Sequence, residues 1–98
     1  MFLVRNVFHA HPGKAKALVE IFKRASPYLE AQGIVKNTRI LTDSAAGFWT
    51  VVIESEVEDL NGYLDMAKNA SANKEFGETM KGYMDFVSSG HREIFRIE

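Results

Sequence analysis

Cysteine is missing from all 98 residues, so the chain can hold no disulfide, thiol nucleophile or thiolate metal site. That suits a reducing compartment, and the cytoplasm is the expected location. No apolar run approaches the roughly 20 residues of a membrane-spanning helix. The stretch Met1-Phe2-Leu3-Val4-Arg5-Asn6 has neither the basic lead nor the long apolar run of a secretory signal. Charge of one sign is lacking as well: 12 Lys and Arg against 13 Asp and Glu leave a net charge of -1. Nucleic acid and anionic membranes are therefore not expected as partners. Nucleophile triads, phosphate loops, zinc spacings and dinucleotide fingerprints are absent too.

What is present describes a folding unit. The composition is 46% hydrophobic and 11% aromatic, which is globular rather than disordered. Residues 1–98 are one domain by length, and a chain this small buries only about 60–65% of its unfolded surface. Its core is thin, and a partner surface would help to complete it. Charge is unevenly spread, with seven basic and two acidic residues in 1–42 and five basic and eleven acidic in 43–98. Such asymmetry fits two helical faces of different charge.

Phe2 to Ala10, rich in β-branched and aromatic residues, predicts a strand. Pro12-Gly13 ends it, and Ala15, Leu18, Val19, Phe22 and Ala25 follow at helical spacing. Pro27 should kink this helix or start a new turn capped by Ser26, and Gly33 should stop it. Ile34–Thr42 and Phe48–Ser55 predict a hairpin turning through Asp43–Gly47. Ser55-Glu56-Val57-Glu58 has the form of a capping box opening a second helix, which carries Leu60, Tyr63, Leu64 and Ala67. A break at Asn69–Asn73 splits it from a further helix with Phe76, Met80, Tyr83, Met84 and Val87, stopped by Gly90. Ile94–Ile97 is the last strand. The order βαββαβ predicts an α+β, ferredoxin-like fold: a four-stranded antiparallel sheet with helices on one face and the second helix split.

A sheet covered on one face should alternate apolar and polar residues. Here Phe2, Val4, Asn6 and Phe8 make one face of the first strand, while Leu3 and Val7 stand beside Arg5 and His9 on the other. In the third strand Phe48 and Val52 oppose Trp49, Val51 and Ile53. A second apolar face needs a cover, and another copy of the same sheet is the simplest one. A homodimer through the sheet face is therefore expected, with Arg5 and Arg39 at the interface pairing with carboxylates such as Glu93.

Three segments carry a family resemblance: Arg5-Asn6-Val7-Phe8, His11-Pro12-Gly13-Lys14, and Val51-Val52-Ile53-Glu54-Ser55 running into Asp59-Leu60-Asn61-Gly62-Tyr63-Leu64. With them the whole chain resembles the dimeric α+β barrel superfamily, and within it the antibiotic-biosynthesis-monooxygenase-like and NIPSNAP-like small domains. That superfamily hosts cofactor-free monooxygenases, haem-degrading enzymes, cyclases, decarboxylases, isomerases and proteins without known activity, so the fold alone does not fix the function. The resemblance implies a cleft between sheet and helices, with Asn6 at the place where several oxygenases keep an asparagine. The haem-degrading branch fits badly. Residues 57–88 contain neither the axial histidine nor the tryptophan that it implies, and Glu54 stands where such enzymes carry Trp.

The candidate catalytic residues are thus Asn6, as hydrogen-bond donor to a substrate or oxygen intermediate, and Glu54, as general base near the cleft. Trp49, Tyr63 and Tyr83 are candidates to bind an aromatic substrate, or else plain core. His9 and His11 could share one face of an extended segment, with His91 or a carboxylate as the third ligand of a metal site, but two histidines without a firm third ligand are weak grounds for one. No metal or cofactor is expected. Three functions fit: a cofactor-independent monooxygenase-type enzyme acting on an aromatic or enolisable substrate, a non-catalytic ligand-binding or stress-associated dimer, and a structural module with a filled core.

Overall fold

In a computed structural model, which describes residues 1–44, 48–69 and 72–98, the first strand β1 spans Phe2–Ala10. Gly13, at φ 79°, turns the chain into helix α1 (Ala15–Ala31). Leu18, Ile21, Phe22 and Ala25 form its buried stripe, at the three- and four-residue intervals of an amphipathic helix. Pro27 lies inside α1 without ending it. The helix ends where Gly33 adopts φ 77° and donates its N–H to the Glu30 carbonyl at 3.0 Å, a left-handed conformation that costs glycine little.

Strand β2 (Val35–Thr42) carries a bulge between Lys36 and Arg39, with Asn37 at φ 54°. The Thr38 N–H at the bulge donates to Glu30 Oε1 at 3.0 Å. Strand β3 runs Thr50–Val57, then helices α2 (Leu60–Lys68) and α3 (Lys74–Met80). Gly82 at φ 82° opens a single 3-10 turn, Tyr83–Phe86, and strand β4 (Val87–Arg96) closes the chain. The sheet order β2-β3-β1-β4, all antiparallel, is the ferredoxin-like arrangement.

Several boundaries differ from the sequence expectation. β3 starts at Thr50, so Phe48 and Trp49 precede it, both exposed, with Trp49 at φ 60°. The Ser55–Glu58 capping box does not form. Ser55 stays in β3, where its hydroxyl lies 2.7 Å from that of Thr38, and Asp59 caps α2 by accepting from the Gly62 N–H at 3.0 Å. β4 begins seven residues before the expected Ile94, and Gly90 sits inside it rather than stopping a helix. Val87-Ser88-Ser89-Gly90 shows no apolar alternation, and pairing with the full length of β1 overrides its weak local preference. Residues 45–47 of the expected turn, and 70 and 71 of the expected helix break, lie outside the described residues.

The core is divided. One cluster joins Val4, Val35, Val57, Tyr63 and Met66; the other joins Ala10, Leu18, Ile21, Phe22 and Val51. Gly90 supports the second from the sheet. A Cβ there would meet the Val7 carbonyl oxygen at 2.9 Å and the Phe8 ring at 3.4 Å. The missing side chain gives Phe8 room to pack on Phe22, with ring centroids 5.1 Å apart. Gly90→Ala should therefore lower the unfolding free energy by about 1–3 kcal/mol through overpacking against rigid backbone. A urea denaturation midpoint equal to that of the unsubstituted chain would rule this account out.

Candidate ligand-binding cavity

Between the two core clusters lies a cavity of about 410 Å³. Its floor is Asn6 and Phe8 of β1, Ile53 of β3 and Arg92 of β4; α1, α2, α3 and the 3-10 turn roof it with Phe22, Tyr63, Met80 and Tyr83 among others. The volume falls within the range of small-molecule sites, and the wall is mainly apolar with a few convergent polar groups, as such sites are.

Three of the polar groups form one chain. Arg92 Nε donates to Asn6 Oδ1 at 2.8 Å, and Asn6 Nδ2 donates to the Tyr63 hydroxyl oxygen at 3.0 Å. The Arg92 guanidinium also lies 5.4 Å from the centre of the Tyr63 ring, a cation–π distance. Strand register makes the first contact, since Asn6 and Arg92 are direct partners across β1 and β4. Helix capping makes the second. The Asp59 carboxylate folds so closely over Gly62 that a Cβ there would lie 2.5 Å from Oδ2, and this tight cap sets the first turn of α2 from which Tyr63 projects.

Of the expected site residues, the structure brings Asn6, Tyr63 and Tyr83 together at the cavity. It does not bring Glu54 or Trp49 there. In β3 the residues Val51, Ile53, Ser55 and Val57 face the helices, so Glu54 necessarily faces the other way. Trp49 sits ahead of β3, where the left-handed backbone takes it out of the strand's alternation. Arg92 escapes the sequence pattern, which starts the last strand only at Ile94. The signal was available in the register: a strand that puts Ile94 opposite Val4 puts Arg92 opposite Asn6.

On the opposite face of the sheet, Arg39, Glu54, Arg5 and Glu93 stand side by side in register, one from each of the four strands. Arg39 pairs with Glu54 Oε1, Arg5 Nε lies 3.2 Å from Glu54 Oε2, and Arg5 Nη1 lies 3.6 Å from Glu93 Oε1. His91 Nε2 extends the row, 3.0 Å from Glu93 Oε2. Glu54 is 4% exposed although no helix covers this face; the two arginines shield it. His9 and His91 are neighbours here, with ring centroids 6.3 Å apart, whereas His11 lies beyond the strand. Among the described residues no group of three or more His, Cys, Asp or Glu could hold a metal ion.

No protein-family model matches the sequence, and no curated protein matches it. Solved structures do match along the whole chain. A NIPSNAP domain protein from Burkholderia xenovorans superposes with a TM-score of 0.79 at 10% identity, covering 100% of this chain and 95% of that one. A NIPSNAP family protein from Agrobacterium tumefaciens gives 0.80 at 8% identity, covering 99% and 85%. An antibiotic biosynthesis monooxygenase gives 0.76 at 12% identity, covering 100% and 99%. At these identities the likeness is one of fold: the chain has the ferredoxin-like α+β fold common to NIPSNAP domains and antibiotic biosynthesis monooxygenases.

Proposed function

We propose that this chain binds a compact aromatic or enolisable molecule in the cavity between sheet and helices, and does so as a homodimer built on the opposite sheet face. The observation that carries the first part is the apolar cavity with its single polar chain, Arg92–Asn6–Tyr63. A close-packed core would not leave this space between two hydrophobic clusters.

A second reading, catalysis of the cofactor-independent monooxygenase type, draws on the fold shared with an antibiotic biosynthesis monooxygenase. The lining residues set terms for it. Among the described residues they include no carboxylate, imidazole or amine, so the commoner general bases are missing and only the tyrosine hydroxyls remain. A substrate reacting here would arrive already ionised, its own enolate or phenolate supplying the electrons to dioxygen. Asn6 and Tyr63 would hold its oxygen. Glu54 would take no part in that step, being on the far side of the sheet.

The dimer rests on the uncovered face. Leu3, Val7, Leu41, Val52 and Phe95 surround the charged row there. The row alternates in sign from edge to edge: Arg39, Glu54, Arg5, Glu93. A two-fold axis along the strands reverses the row in a second copy, so that each cation faces an anion. This is the self-complementarity that an isologous interface requires.

Ala67→Phe should fill the cavity from α2, keep the fold, and weaken binding of a naphthalene-sized probe by about tenfold or more. Unchanged affinity would place the ligand elsewhere. Native mass spectrometry of the purified protein should show a dimer at micromolar concentration. Leu41→Lys with Phe95→Lys, both on the outer sheet face, should yield a folded monomer. A wild-type monomer would refute the dimer.

A further inference from the structure

The polar chain in the cavity has a direction, and the direction selects a ligand. Arg92 has only donors, so the amide of Asn6 must turn its oxygen to Arg92 Nε and its nitrogen to Tyr63. Tyr63 therefore accepts from Asn6, and its own hydrogen remains free to donate. The second N–H of Asn6 Nδ2 is also uncommitted. So are the Nη groups of Arg92, which makes no ion pair among the described residues. The acidic neighbour of Arg92 in β4, Glu93, faces the other side of the sheet and is taken by Arg5 and His91. Spare donors and one exposed, unneutralised positive charge meet at a mainly apolar wall, and among the described residues the lining brings no anion to meet them.

From this we infer that the ligand is an organic anion: an apolar body, aromatic or aliphatic, ending in a single anionic oxygen group, either a carboxylate or an ionised enol or phenol. The inference rests on the cavity being a binding site and names the class that it takes. Arg92 supplies the charge at the mouth, on the edge strand β4. Tyr63, 6% exposed, supplies a hydrogen bond from within. Asn6 is the positioning residue that fixes the polarity of both. A carboxylate can accept from Arg92 and Tyr63 together, and charge-assisted bonds of this kind are about twice as strong as neutral ones.

The experiment is titration calorimetry with 2-naphthoate, its neutral isostere 2-naphthamide, and 2-naphthol at pH values below and above its ionisation. The unsubstituted protein should bind 2-naphthoate about tenfold or more tighter than 2-naphthamide. Arg92→Gln should remove that preference, and Arg92→Lys, which keeps the charge but not the planar fork that holds Asn6, should retain only part of it. Tighter binding of 2-naphthol above its pKa would extend the class to phenolates; carboxylate preference alone would confine it to acids. Equal binding of naphthoate and naphthamide would overturn the anion inference and leave the cavity as a site. Binding of neither, by a protein whose melting curve shows it folded, would overturn the binding reading itself.

Discussion

The two-residue period of β1 governs both faces of this molecule. β1 is an inner strand, hydrogen-bonded to β3 on one side and β4 on the other. Its even residues look into the space under the helices and its odd residues look out from the sheet. Asn6 and Arg5 are adjacent in sequence, yet one belongs to the cavity and the other to the charged row, with the thickness of a sheet between them. Because successive Cβ atoms alternate, neither side chain could change face without moving the whole strand.

Above the sheet, the helices do not close one continuous core. α1 packs its stripe on Val51 and Ala10, while α2 packs Tyr63 and Met66 on Val4, Val35 and Val57. The gap between these packings is bordered by large side chains that lean on one another: Phe8, Phe22 and Tyr83 lie with ring centroids 5.1 to 6.3 Å apart. Aromatic rings in such tilted and edge-on arrangements hold their positions by mutual contact, so the wall keeps its shape without filling the space. The polar chain runs along this wall from the edge strand β4 through β1 to α2.

Much of the fold was legible because its signals are periodic. The nine residues of β1, the apolar stripe of α1, and Gly33 as its stop could be read from spacing and residue type alone. So could the surplus of apolar residues on the uncovered sheet face. What escaped was set by partners distant in sequence. The stretch Val87–Arg92 looks like a loop until β1 is placed beside it, and Arg92 was hidden with it. Glu54 was misplaced for a related reason. A place near a strand end suggests proximity to the cleft, but the parity of Val51, Ile53 and Val57 decides its face. Ser55 had the makings of a cap, but its place opposite Val4 kept it in the sheet and left the cap to Asp59.

The row Arg39–Glu54–Arg5–Glu93 takes one residue from each strand at a single level of the sheet. It therefore works as an error check on assembly. A slip of any strand by one residue would drive an ionised side chain out of its paired row and under the helices, at the cost of its desolvation. A slip by two would keep every residue on its face; a slip of β1 would set Leu3 or Val7 beside Glu54, whereas one slip of β3 would bring Glu56 into the row in place of Glu54. Hydrophobic patterning alone tolerates the second kind of mistake, because one buried valine resembles another. A sheet as short as this one, with β-branched residues on both faces, gains from its charges a preference among alignments that its apolar residues could not express.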